Sequence, residues 1–509
     1  MNRTITLFSL LTAYLLLLTP SPAQGPLDPS VPPAPTMKTL DQVEPRMAIT
    51  NLPHTISAEG SYYFTGNLVT TNAGITIEAS NVTLDLMGFE LVDGTGAGIF
   101  VDGAHTNIVI RNGTVRNWGA QGIQAMDAVG VTVERITTMR NGTNGMQLGH
   151  SAVVRDCAAI ENGGHGFDIG DDGLVIRSVA RGNGNGASGS GFQLGTSCTI
   201  SESTAQGNAD DGIAALFNAS IQACTAQDNN GNGIIAAPSS TIGDSTASSN
   251  GGNGFELEES GIIRHSFAMG NMSNGIKAAY STLIDSCDAS LNVMNGLLGT
   301  AGKTVVDSVF NGNELNGIHL VGGGNTIRGS TAIDNLVTGI DAGQDSTITH
   351  CTANGNQLHG IDVGSASTII GCTANNNGTP GDPDAGTGNN GDGITAGSDS
   401  TLLDSTVKSN QGNGISVTHN SHVARNTASA NQLAGFLADE QSNRIEANHA
   451  TGNEDGFAIQ GINNLVIKNS ASANTAANYT IVAGNHEAEI ITAPGSGFTA
   501  VNPWANFEW

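Results

Sequence analysis

The chain has 509 residues, of which only 12% are charged and 4% aromatic, while glycine alone supplies 69. So few large side chains cannot pack layers of thick helices. The formal net charge of −27 excludes nucleic acid, which is held mainly by Lys and Arg on its phosphates, and sets the protein against acidic polysaccharides unless cations bridge the two.

Residues 1–23 read as a secretory signal. Arg3 provides the positive start, residues 5–18 the apolar run, and Ser21, Pro22 and Ala23 the small residues for cleavage. No second apolar stretch of spanning length follows, so the expectation is a secreted protein, at the cell surface, outside the cell or in the periplasm, with no membrane span after signal cleavage. Residues 24–36 form a Pro-rich linker. Residues 37–80, which include Tyr62, Tyr63 and Phe64, are expected to form an N-terminal cap, because the open strand edges at the end of a solenoid need covering.

Residues 81–470 are organised by a Gly followed by a bulky apolar residue, from Gly98 to Gly456. Between Gly191 and Gly317 every step is 21 residues, and the later steps are 22, 21, 33, 21, 21 and 21. A period in this range marks a solenoid whose repeats bury their apolar faces against one another. One residue past the Gly stand Phe167, Phe192, Ile213, Ile234 and their equivalents, and three past it Ile169, Leu194, Leu257 and Leu320, with polar residues between. That alternation is a short strand with one face inward. Nine past the Gly, Ile200, Ile221, Ile242, Ile263 and Ile284 give a second strand. Cys157, Cys224, Cys287, Cys351 and Cys372 share offset twelve with Ser203, Ser245, Ser266, Ser308 and Ser405, and Ala226, Ala247 and Ala268 follow two further on. This gives a third strand and makes the cysteines stacked core residues, although Cys351 and Cys372, one rung apart, are close enough in the stack for a bond. The fold expected is an all-β parallel β-helix of about 21 residues per rung.

Four residues before the Gly, Asn recurs from Asn141 through Asn250 and Asn389 to Asn431. Stacked Asn side chains pass amide hydrogen bonds from rung to rung, so the column reads as a structural ladder. Residues 471–509, with Trp504 and Trp509, form a C-terminal cap or an export signal.

The block Asn356-Gln-Leu-His-Gly-Ile-Asp-Val-Gly followed by Ser367-Thr-Ile-Ile-Gly-Cys-Thr-Ala resembles the right-handed parallel β-helix repeats of the pectate-lyase-like superfamily. Leu40-Asp-Gln-Val-Glu-Pro-Arg and Gly60-Ser-Tyr-Tyr-Phe-Thr-Gly-Asn-Leu resemble exported bacterial β-helix proteins. The resemblance implies a right-handed coil and a partner or substrate among polysaccharides, as in pectate lyases, polygalacturonases and uronan epimerases. The usual signatures of those enzymes, Asp-Pro-His-Asp and Gly-His-Gly beside Arg-Ile-Lys, do not occur in the sequence.

A substrate groove on such a coil would follow the outward residues of one stacked strand. The column two past the Gly reads Glu256, Lys277, Leu298, His319, Asp341, Asp362, Thr395, and its run His319, Asp341, Asp362 on three consecutive rungs is the candidate catalytic site. His359 joins it from the edge, and Lys277, about 10 Å from His319, is a candidate base. Stacked carboxylates repel, which raises one pKa as general acid catalysis requires. The single large insertion follows within residues 377–390, and Asp341, Asp362, Asp382 and Asp384 could gather oxygen ligands for Ca²⁺. Two function classes follow: a polysaccharide lyase or glycoside hydrolase using this face, or a non-catalytic adhesin-like rod.

Overall fold

In the computed structural model the described residues are 45–185, 188–379, 390–492 and 501–509. The signal and linker readings lie outside them, as do residues 37–44 of the expected N-terminal cap. Every element from Met47 onward is a strand, and no helix occurs among the described residues, so none is long and apolar enough to cross a membrane. All the strand pairings are parallel, and the coil advances one rung per repeat, as the spacing predicts.

Each regular rung carries three strands of three residues, for example Phe255–Leu257, Ile262–Arg264 and Phe267–Met269. The first of these stacks into a sheet of twenty strands, from His54–Ile56 to Ala477–Ile481. We call it the first sheet. The Ile column of the second strand and the Ala column of the third point inward against it, with Ile263 and Ala268 fully buried. In the early rungs the second and third strands run together, as Ile108–Trp118 and Thr132–Met139.

The corners explain the period. In the rung after Gly275 the chain turns at Ser281, Ser286 and Leu291, each at φ between 53° and 59°. The same three places, six, eleven and sixteen past the Gly, are left-handed in rung after rung. None of the non-Gly residues there is β-branched, consistent with the steric cost of that conformation for Val, Ile and Thr. In most regular rungs a small or amide side chain pointing in follows the left-handed residue, as Thr282, Cys287 and Asn292 do here, while Lys303 takes the place in the next rung. The Cys and Ser of offset twelve occupy this corner position, one residue ahead of the third strand. Ser245 Oγ accepts the Cys224 N–H at 3.1 Å and donates to the Gly243 carbonyl at 2.8 Å. All six cysteines are buried and free, Cys351 and Cys372 among them.

The Asn column fills the third corner. Asn162 Oδ1 accepts the backbone N–H and the side-chain amide of Asn141, and its own Nδ2 donates to Asn183 Oδ1 and to the Thr138 carbonyl. Both donors and both lone pairs are therefore used inside the coil, which makes a buried amide favourable there. The ladder runs from Asn141 through Asn377 to Asn474. Asn389, which spacing alone puts in this column, lies outside the described residues, and Asn377 holds the slot. The ladder passes unbroken from Asn377 to Asn410, so the extra residues of that rung come after the ladder position in sequence.

The recurring Gly is required by close approach. A Cβ on Gly254 would stand 2.6 Å from the Gly275 carbonyl oxygen and 2.7 Å from Asn271 Nδ2. At the far end the strand Asn506–Glu508 pairs with Ser470–Ser472 and with Ile490–Thr492, and Asn506 extends a further ladder from Asn469.

Candidate functional site

The first sheet brings the predicted residues into one column. His319 pairs with Asp341, Asp341 with Asp362, and Asp362 with Thr395, on adjacent strands Ile318–Leu320, Ile340–Ala342, Ile361–Val363 and Ile394–Ala396. Their inward neighbours Ile318, Ile340, Ile361 and Ile394 are fully buried, so the alternation of the strand fixes these polar side chains on the outer face. The register can slip by one only by turning those isoleucines outward.

The two carboxylates sit in different surroundings. His319 Nδ1 lies 2.6 Å from Asp341 Oδ2. This bond holds the imidazole's proton above its usual range, against the opposing effect of partial burial and with help from the Asp341 charge. Asp362 has no hydrogen-bond partner among the described residues. Burial pushes its carboxyl up and the charges of Asp341 and Asp392 add to it, while only a positive charge on His359 would oppose them.

Asp392 is the residue the sequence reading passed over. It belongs to the column just before the recurring Gly, where Asn232, Asn253, Asn274, Asn295 and Asn316 form a second ladder. Its amides donate toward the start of the chain, opposite in sense to the first ladder. On the next three rungs this column changes to Thr338, His359 and Asp392. Those are the rungs on and beside which the outward column carries Asp341 and Asp362. His359 Nδ1 takes the Asn's acceptor role, receiving the Asp392 backbone N–H at 3.1 Å, so its ring proton sits on Nε2. Asp392 is buried, and burial raises its carboxyl pKa against the N–H and side-chain amide of Asn413, at 2.6 and 3.2 Å, and the Thr395 hydroxyl. The interruption of the Asn run was the signal in the sequence that could have found it.

Lys277 stands two rungs from His319, with Leu298 between them, and its Nζ bonds Glu256 Oε1 at 2.7 Å. Beside it a groove of about 430 Å³ is lined by Leu298, Thr300, Val321 and the stem of Lys277. Of the Ca²⁺ set, Asp382 and Asp384 lie outside the described residues. Among the described residues no group of three or more His, Cys, Asp or Glu side chains converges as a metal site would require.

Residues 55–190 and 385–500 match the family model described as right handed beta helix region. The chain is a parallel β-helix protein. No curated protein matches the sequence. Among solved structures, this β-helix is similar to the A-module of mannuronan C-5 epimerase AlgE4 from Azotobacter vinelandii, at 15% identity over 69% of this chain and 87% of that one, with a TM-score of 0.25. It is also similar to pectate lyase Pel9A, at 15% identity over 54% of this chain and 71% of that one, with a TM-score of 0.28. A third is the catalytic domain of a GH87 alpha-1,3-glucanase, at 8% identity over 71% and 59%, with a TM-score of 0.22. These likenesses concern the fold alone.

Proposed function

We propose that this β-helix is an exported carbohydrate-active protein that hydrolyses a neutral polysaccharide on the first sheet, with Asp362 as general acid and Asp341 as the partner carboxylate. The observation that carries the reading is the contrast between these two side chains on neighbouring rungs. Asp341 is held by an imidazole, while Asp362 has no hydrogen-bond partner among the described residues, is partly buried and is biased toward its protonated form. Two carboxyl groups whose environments divide acid from base are what glycosidic cleavage requires. Adjacent strands about 4.8 Å apart suit the short separation of a double displacement, in which Asp341 attacks the anomeric carbon and Asp362 protonates the leaving oxygen.

Charge favours a neutral sugar and hydrolysis over elimination. A lyase acting on a uronate has to neutralise the substrate's carboxylate, and the two cationic side chains of this stretch, His319 and Lys277, are already bonded to Asp341 and Glu256. The groove beside Leu298 and Val321 would take the apolar face of a sugar ring. Ca²⁺ would extend the range to acidic polymers by bridging.

The test is to incubate the protein with neutral and acidic polysaccharides, with Ca²⁺ and with a chelator, and to measure new reducing ends. Release from a neutral polymer that is lost in Asp341→Asn and in Asp362→Asn supports the reading. Release that survives in both variants removes this site, and no release from any polymer leaves the non-catalytic rod.

A further inference from the structure

The tetrapeptide His359-Gly360-Ile361-Asp362 has a counterpart nine rungs earlier, His165-Gly166-Phe167-Asp168. The correspondence extends to the structure. His165 Nδ1 accepts the Ser190 backbone N–H at 3.0 Å, as His359 Nδ1 accepts that of Asp392 at 3.1 Å. Both imidazoles thus replace an Asn acceptor in the same column and carry their proton on Nε2. Asp168 occupies the outward column, paired with Gln147 on one side and Gln193 on the other. Both rungs are also enlarged at the same corner, with steps of 25 residues from Gly166 to Gly191 and 33 from Gly360 to Gly393, against 21 or 22 for the other steps between Gly145 and Gly456. Beside the earlier one lies a polar hollow of about 560 Å³ bounded by Arg140, Glu161 and Asn185.

The chemistry of the two places differs in one respect. Asp168 Oδ2 accepts from Gln147 Nε2 at 2.9 Å and from Asn144 Nδ2 at 3.0 Å, and Gln121 Nε2 donates to Gln147 Oε1 at 2.9 Å. A carboxylate oxygen that receives two amide donors is oriented as a hydrogen-bond acceptor. Gln124, Gln147, Asp168 and Gln193 on four consecutive rungs present amide and carboxylate groups with no cation among them, whereas the next two rungs carry Ala214 and Ile235. Such a set suits hydroxyl groups, which both donate and accept.

We propose that His165, Asp168 and the flanking glutamines form a second, non-catalytic binding station for the same neutral polysaccharide. The proposal rests on the polysaccharide reading above but not on its catalytic step. The stations lie on one sheet, nine rungs or about 43 Å apart. A chain long enough to span them binds both, and the second contact acts at high effective concentration. A short oligosaccharide engages one station at a time.

The experiment compares the full chain with the double variant His165→Asn, Asp168→Asn, using long and short neutral glucans and mannans. Asn at position 165 restores the side chain that this column carries elsewhere, so the coil is preserved, and an unchanged melting temperature verifies it. Affinity for the long polymer is expected to fall tenfold or more by affinity electrophoresis, with turnover of a short oligosaccharide unchanged. Equal polymer affinity in the two proteins overturns the station while leaving the hydrolase reading intact. Polymer binding without cleavage, lost in the double variant, upholds the station and overturns the hydrolase. Binding of no glycan by the parent overturns both.

Discussion

The backbone N–H of Asp392 donates to His359 Nδ1 across 3.1 Å, in the place where Asn274 receives the Asn295 N–H through its Oδ1. The column changes from Asn to His and Asp here without losing its hydrogen bond. His359→Asn should therefore fold with a melting temperature close to the parent's, since Asn supplies the same acceptor. His359→Ala leaves a partly buried N–H unpartnered and should cost about 1–3 kcal/mol. If His359 serves the reaction through Nε2–H, His359→Asn loses activity despite its intact fold. Full activity in that variant would confine the residue to its ladder role.

The proposed role of Asp362 carries a consequence for stability. Burial and the neighbouring carboxylates raise its folded pKa above the unfolded value of about 3.9. The sign follows directly: the favourable contribution of the protonated group is complete below the unfolded pKa and is lost as pH rises through the folded one. At neutral pH the ionised side chain is a burden on the fold. Asp362→Asn should then be roughly 0.5–2 kcal/mol more stable than the parent at pH 7, with the advantage gone near pH 3. Its activity should fall by a factor of about 10² to 10⁴, the usual worth of a general acid. Denaturant titrations at the two pH values check the first statement. A stability gap independent of pH would contradict the assignment.

Most of the coil was legible because its period multiplies one signal many times. A single Gly-Ile pair is uninformative, but Gly233-Ile234, Gly275-Ile276 and Gly339-Ile340 at regular steps declare a column. The candidate column His319, Asp341, Asp362 followed from the same arithmetic, and strand pairing sets those residues side by side. What stayed hidden is what spacing does not encode. The left-handed corners carry residues as unlike as Leu291, His265 and Arg177, because any side chain that is not β-branched is accepted there. Asp392 was missed because the column just before the Gly was not followed, although its place beside Gly393 is undisturbed by the insertion. Asn389 stood in for Asn377 because the extra residues separate the ladder position from Gly393.

The Asn ladder should show its cooperativity in a single substitution. Asn271 accepts two bonds from Asn250 and gives one each to Asn292 and to the Ala247 carbonyl. Asn271→Ala leaves the Asn250 N–H and amide and a carbonyl without partners in a buried corner. The expected loss is about 2–4 kcal/mol, more than one unsatisfied group would give. Asn271→Asp supplies the acceptor but no donor and buries a charge, so it should be no better than Ala at pH 7 and should recover as the carboxyl protonates. Thermal melts of the three proteins at pH 7 and pH 4 separate these outcomes. A loss below 1 kcal/mol in the Ala variant would mean that water or a neighbouring side chain replaces the amide.

Lys303 provides an internal control on burial. Its side chain is 1% exposed and lies in the corner position that other rungs fill with Ser240, Thr282 or Ser346. Gly299 makes room for it, since a Cβ there would sit 3.0 Å from Lys303 Cε. The ammonium reaches the Ala301 carbonyl at 3.1 Å and Thr300 Oγ1 at 3.4 Å, and burial lowers its pKa to about 8. Because the folded pKa lies below the unfolded one, the penalty is complete below about pH 8 and disappears as pH rises past the unfolded value of about 10.4. Lys303→Met keeps the stem volume and removes the charge. It should be more stable than the parent at pH 7 by about 1–2 kcal/mol, and the two proteins should converge in alkali. A Met variant weaker than the parent at pH 7 would show that the two hydrogen bonds of the amine outweigh its desolvation.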